Sequence, residues 1–314
     1  MAMTPVRLGE VNRTGGAMTA LFKDQYSSEV MAAFEENTIM LDKHFIRTIA
    51  SGKSASFPLM GRTTASLHTP GAELTGTKTV KGNEKVIAID GLLLSDIFVA
   101  NIDEMMNHYD VRGPYATEQG RALATTFDKN VIQEGIKGAR ESSNLVTGLS
   151  VQAAITDTDL DAGVLATEAA AFAKAFFTAA AQYDALSVPE ADRHCILRPS
   201  DYYKLVQKTD AINRDWGGAG AYSDGKILRI AGINVLKSNN LPSTDLQADT
   251  VHGADFTKTY GLFFSTSAIG TVKLLDIAFE SEYLIKYQGT LLVAKFAMGH
   301  SWLRPECLIE LAVP

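Results

Sequence analysis

The apolar positions of this chain follow two periods, and each marks a different element. From Leu291 to Met298 they alternate, with Leu292, Ala294, Phe296 and Met298 on one side and Lys295 on the other. That is the period-two pattern of a sheet with one buried face. Between Tyr109 and Arg140 the stripe Ala116, Gly120, Leu123, Phe127, Val131 instead runs at helical spacing. It predicts the longest helix of the chain, with Pro114 in its first turn and a weak end at Gly135 and Gly138. Residues 167–182 predict an alanine-rich helix and 200–207 a short one, while 194–197 and 230–236 read as strands. Gly91–Ala100 reads as a buried strand, and Asn101 caps a short helix over 102–108.

Other stretches carry no period. Met1–Gln25 holds Gly9, Gly15 and Gly16 among Thr, Asn and Met, and reads as an extended arm. Ser27 or Ser28 then caps a short helix bearing Val30, Met31, Ala33 and Phe34. Ser51–Val80 has four glycines, two prolines and many Ser and Thr, between strand-like runs at 55–60 and 85–89. Two pairing strands joined by so long a polar excursion predict a hairpin that reaches beyond its own core. Cations stud it (Lys53, Arg62, Lys78, Lys81, Lys85) against Glu73 and Glu84. Residues 213–225 form a glycine-rich loop that includes Trp216, Gly217, Gly218 and Gly220.

Composition narrows the class without choosing a function. The chain has 314 residues, 46% hydrophobic and 21% charged, enough to bury a full core. A net charge of −7 argues against a protein that grips phosphates. It suits ordinary solubility. Cys195 and Cys307 cannot form a disulfide framework, and both sit in apolar strand-like runs. With no charged-then-apolar leader and no membrane-length apolar run, a cytosolic soluble chain is expected.

The chemical motifs fail on their spacing. Gly52-Lys53-Ser54 invites a phosphate loop, but position 47 is Arg where the motif needs Gly. Asp157, Asp159, Asp161 and Glu168 partly mimic a calcium loop, yet the turn position is Ala162 and Gly163 comes one residue late. An acidic connector before a helix N-terminus is the plainer reading, with calcium left open. The six histidines lack ligand spacing, and Cys195 has no paired-His motif. Glu280 and Glu282 lie two apart, as on one strand face, and beside Lys286 and Lys295 read as an ion-pair network rather than a hydrolytic pair. No enzyme, cofactor or metal is expected.

Several ordered blocks resemble one family. They are Ser51-Gly52-Lys53-Ser54-Ala55-Ser56-Phe57-Pro58 with Gly61-Arg62-Thr63, then Glu84 to Leu93, then Met106-Asn107-His108-Tyr109-Asp110-Val111-Arg112. The closing blocks are Ala268 to Lys273, Ala294 to His300 and Leu303-Arg304-Pro305-Glu306. Together they resemble the major capsid proteins of short-tailed phages of the autographivirus type. The resemblance implies an α+β chain of the Hong Kong 97-type capsid fold. In that layout 1–50 is an N-terminal arm and short helix, and 51–85 the extended hairpin loop. Residues 86–145 form a peripheral domain with the spine helix, 146–270 an axial domain, and 271–314 the peripheral strands.

It also implies a subunit that self-assembles into hexamers and pentamers of an icosahedral shell around double-stranded DNA, bound without sequence preference. Scaffolding and portal proteins are the implied partners, a virion capsid assembled in the host cytoplasm the implied location, and no membrane is involved. The expected inter-subunit contacts are Lys53, Arg62, Glu73, Lys78, Glu104, Arg112, Glu280 and Glu282, with Trp216, Gly217, Gly218 and Gly220 near the capsomer axis. A cargo-enclosing nanocompartment is the alternative, because it shares the shell fold.

Overall fold

The computed structural model describes residues 19–71, 73, 76, 78–106, 112–207 and 229–314; the side chains of 19–27, 103–105 and 112 are not described. In chain order it contains α1 (Thr19–Asn37), β1 (Phe45–Thr48), β2 (Ser54–Met60), β3 (Gly82–Ala88), β4 (Gly91–Ala100), α2 (Asn101–Met106) and α3 (Arg112–Ala139). There follow β5 (Ile155–Thr156), α4 (Leu165–Ala185), β6 (Arg193–Leu197), α5 (Pro199–Val206), β7 (Arg229–Ile230) and β8 (Ile233–Lys237). The last strands are β9 (Thr259–Ser265), β10 (Ile269–Leu284), β11 (Gly289–Trp302) and β12 (Leu308–Ala312). The chain divides into two compact units, and α3, β10 and β11 each contribute residues to both.

The smaller unit takes residues 1–38, 91–127 and 275–298. Its alternating strand β11 pairs antiparallel with β4 through ten residue pairs, from Gly289 opposite Ala100 to Met298 opposite Gly91. Leu292, Ala294, Phe296 and Met298 are buried, so the period-two expectation holds. Beneath that face Phe34, Phe127 and Phe296 meet edge to face, at 5.7–6.4 Å between ring centroids. Gln119 of α3 donates from Nε2 to the carbonyls of Ser95 and Leu292, tying the helix to both strands. α1 crosses α3 at Gly120, where a Cβ would stand 2.5 Å from the Val30 carbonyl oxygen. Gly120 therefore marks a close helix contact.

The larger unit takes residues 39–90, 128–274 and 299–314. Its main sheet has six strands in the order β5-β12-β9-β6-β8-β7, parallel at β5/β12 and β6/β8 and antiparallel elsewhere. β6 and β12 are buried at every position, as interior strands should be. α4 packs Phe176 against Phe263 of β9, with centroids 5.1 Å apart and Phe172, Tyr183 and Cys195 buried around them. β1 pairs parallel with the start of β10, and β2 pairs antiparallel with β3.

Four local expectations need correction. Ser27 and Ser28 lie inside α1, which starts at Thr19, so part of the expected arm is helical. The strand expected over 230–236 is a hairpin, β7 and β8, folded at Ala231 and Gly232, both at positive φ. Gly135 and Gly138 do not weaken the end of α3; the helix runs through them and other elements press on them. β4 is an edge strand of the four-stranded sheet β1-β10-β11-β4, and half of it faces solvent. Consecutive leucines 92–94 look like a strand covered on both sides, although burial is supplied for one.

Candidate assembly surfaces

β2 and β3 form the base of the predicted hairpin, paired from Ser54 opposite Ala88 to Met60 opposite Gly82. One face of this ribbon is apolar. Ala55, Phe57, Leu59 and Ile87 join Val146, Val272 and Leu303 in a single buried cluster. The base is closed by hydrogen bonds from Ile89 N to Lys53 O (2.9 Å) and from Gly61 N to Lys81 O (2.8 Å). Beyond Gly61 the described positions through Lys81 are exposed, including Leu67 at 100%. A two-stranded ribbon is marginal by itself, so the anchored base must hold the whole excursion.

Within the smaller unit, Leu92, Leu94 and Phe98 alternate along β4 on the side opposite the aromatic cluster, at 51, 52 and 45% exposure. Tyr287 meets Phe98 edge-on at 6.3 Å and is itself exposed. Asp96 shares this side of β4, and nearby Lys295 pairs with Glu280 at 2.5 Å. The result is an apolar sheet face with a few charges on an edge strand, the type of surface that proteins normally cover.

Buried polar links hold the larger unit rigid. His44 donates from Nδ1 to the Met40 carbonyl (2.6 Å), and its Nε2 lies 2.8 Å from Thr271 Oγ1. Thr271 Oγ1 in turn lies 2.9 Å from Nδ1 of His300. Burial lowers the pKa of His44 to about 4 and holds that of His300 well below its ordinary value, so both rings are neutral. Arg140 makes a forked pair with Glu310, both contacts 2.7 Å, and Glu310 also accepts from Thr259 Oγ1. Burial raises both thiols, Cys307 to about 11, so they stay protonated and inert.

The acidic segment is occupied by the protein itself. Asp157 accepts from Asp159 N and from Lys174 Nζ, while Glu168 accepts from Gly163 N and pairs with Lys204 at 2.8 Å. The Lys204 hydrogen bond leads the factors that lower the Glu168 pKa. These carboxylates do not converge, and no metal-binding group of three or more ligands exists among the described residues. Likewise, no described helix is long and apolar enough to cross a membrane.

A family model described as Gp10A-like, major capsid protein, matches residues 56–312. The chain belongs to this capsid protein family. The major capsid protein of Enterobacteria phage T3 is 34% identical, over 94% of this chain and 92% of that protein. That of Escherichia phage T7 is 32% identical, over 93% and 91%. The capsid structure of cyanophage P-SCSP1u shares 44% identity and a TM-score of 0.79, covering 100% of this chain and 99% of that one. The mature capsid of bacteriophage PhiM1 gives a TM-score of 0.71 at 15% identity, over 88% and 87% of the two chains. The fold is thus α+β and related to the Hong Kong 97-type capsid folds.

Seen as a capsid family member, the chain distributes the residues expected at contacts unevenly. Lys53, Glu73 and Lys78 lie on the hairpin and are exposed, Lys78 donating to Ser66 Oγ at 2.6 Å. Arg62 finds partners within its own chain, the carbonyls of Leu186 and Ser187 at the C-terminal end of α4. A cation there complements the helix dipole. Glu280 forms the expected pair with Lys295, and Glu282 is exposed on β10. The Glu104 and Arg112 side chains, and Trp216, Gly217, Gly218 and Gly220, lie outside the described residues. The β4 face was missed by the sequence reading. Its signal was present in Leu92, Leu94 and Phe98, which alternate with an equally apolar second face.

Proposed function

We propose that this chain is the shell-building subunit of a short-tailed phage of the autographivirus type. Copies join as hexamers and pentamers into an icosahedral shell around double-stranded DNA, with a scaffolding protein guiding assembly and a portal at one vertex. The subunit is a structural protein and performs no catalysis. In this reading, 1–50 and 51–85 are the arm and hairpin that reach neighbours, α3 is the spine, 146–270 the axial domain, and Trp216–Gly220 lies near the capsomer axis.

The observation that carries it is the hairpin. Its base is fastened by a buried apolar cluster, while the described residues between 63 and 81 are exposed, in a chain of the capsid protein family. A neighbour that covers the β4 face gains about 1 kcal/mol for each half-exposed Leu or Phe it buries. An exposed ion pair adds about 0–1 kcal/mol. The apolar face therefore supplies strength, and Lys53, Lys78 and Glu282 supply register.

Electron microscopy of the protein expressed with and without its scaffolding protein tests the reading. Closed icosahedral particles, tubes or hexamers are expected. Stable monomers or dimers in both preparations reject shell building. Closed shells that form without scaffold and fill selectively with a cargo enzyme would move the assignment to a nanocompartment.

A further inference from the structure

His252 occupies a position in the larger unit that assembly does not explain. Its Nδ1 lies 3.1 Å from Glu134 Oε1 and its Nε2 lies 3.1 Å from Asp90 Oδ2. The imidazole is 6% exposed, Glu134 7% and Asp90 26%, so solvent does little to screen the Glu134 contact and reaches only the outer carboxylate. The three residues come from separate elements. Asp90 stands between β3 and β4, Glu134 projects from α3, and His252 belongs to the connection between β8 and β9. Carboxylate oxygens only accept hydrogen bonds, so a ring held between two of them needs a proton on each nitrogen.

Other groups reinforce this arrangement. Lys137 donates to Glu134 Oε1 at 2.8 Å and to the Val251 carbonyl at 2.9 Å, so α3 grips the residue next to His252 as well. Asp90 Oδ2 also accepts from the backbone N–H of His300, at 3.3 Å. The His300 ring, 6.0 Å away, is neutral and does not compete for the carboxylates. Lys85 of β3 and Glu141 after α3 complete the nearby charges, with Lys85 lying 3.8 Å over the Trp302 ring.

We propose that His252 is a proton-dependent latch, whose doubly bonded imidazolium pins the loop 246–254 to α3 and to the β3–β4 joint and whose deprotonation frees that loop. Burial alone would lower its pKa, but hydrogen bonds to Asp90 and Glu134 and their charges outweigh this and raise it to about 9. The folded value lies above the ordinary 6.5. The stabilisation is therefore complete below pH 6.5 and is lost as pH rises through about 9. For Glu134, burial acts upward, yet the bonds from His252 and Lys137 leave its pKa below the ordinary value. Its contribution is lost only in acid, as pH falls through that lowered value. The latch is closed over the neutral range and opens in alkali. Asp90 directly follows Ile89, whose N–H closes the hairpin base, so the latch also clamps the hairpin root.

Hydrogen exchange of the full chain, followed by mass spectrometry from pH 6.5 to 10 and corrected for intrinsic rates, tests the latch. The reporters are the amides of Leu246, Asp249 and Gly253, which bond to Ala254, Leu246 and Asp249 carbonyls. Their protection should fall on the order of 100-fold across this range. In His252→Gln, which cannot carry the charge, the loop should exchange faster at neutral pH and show a flat profile. Wild-type protection that does not change with pH overturns the proposal. So does a His252→Gln profile that still falls like wild type, since Lys85 or Lys137 would then be the titrating group. Should His252→Gln not fold, Glu134→Gln takes its place, with the wild-type midpoint expected to move toward neutral pH; an unmoved midpoint also overturns the latch.

Discussion

A single hydrogen atom's worth of side chain decides how closely α3 is approached. At Gly138 an added Cβ would lie 2.5 Å from Trp302 Cβ and 2.6 Å from Leu308 Cδ1. At Gly135 it would lie 2.7 Å from Leu262 Cδ2 and 2.9 Å from Ile269 Cδ1, both methyl ends of flexible side chains. Alanine in place of glycine gains about 1 kcal/mol of helix propensity. Overpacking costs about 1–3 kcal/mol where neighbours cannot move. Trp302 is held at its Cβ, next to the backbone, so Gly138→Ala should lower stability by about 1–2 kcal/mol in urea unfolding. Gly135→Ala should be closer to neutral, because methyl groups can turn aside. Equal costs at both sites would remove this distinction. From sequence these glycines read as a weak helix end, since propensity is local and the surfaces that press on them come from far along the chain.

At the scale of elements, the legible parts were those with a strong period. α3, β11 and the two hairpin strands appear where the spacing of Leu123, Phe127, Leu292 and Phe296 or the strand-like runs at 55–60 and 85–89 placed them, within a few residues. The β7–β8 turn was hidden because Ala231 is an ordinary residue at φ 48 and leaves no signature. β4 was misjudged because alternation reports two faces but not which of them another element covers. The hairpin is separable in a way its neighbours are not: its base packs and its tip does not. Replacing residues 64–78 with a short glycine turn should leave the melting temperature within about 3 °C of wild type, as expected for a change under 1 kcal/mol. Shell formation should be lost, as read by sedimentation. Intact shells from the shortened chain would show that the tip is dispensable for assembly.

At the scale of the whole molecule the capsid family was legible, through blocks that lie far apart in sequence yet keep their succession. Which strand lies beside which was not, because strand pairing is set by long-range burial and not by neighbours. The open β4 face belongs to this scale, since the shell contact proposed for it lies outside the subunit. Phe98→Lys and Leu94→Lys replace half-exposed apolar groups and should change unfolding free energy by no more than about 1 kcal/mol. Either should cut the yield of closed particles by more than tenfold. Normal yield from both would show that the face stays bare in the shell.

The place of β12 sets a timetable for making the protein. Leu308–Ala312 fits between β5 and β9, parallel to one and antiparallel to the other, and among the described residues β5 has no other strand beside it. Synthesis delivers this strand after everything it joins together. Until then one border of β9 carries unpaired amides and carbonyls along Thr259–Phe264, while β5 lacks its β12 partner. A ribosome that stalls before residue 308 thus releases a chain with a ready template for pairing with its sisters. An unpaired strand edge is a template for aggregation, so the larger sheet stays exposed to that hazard until residues 308–312 have been made and have closed the gap.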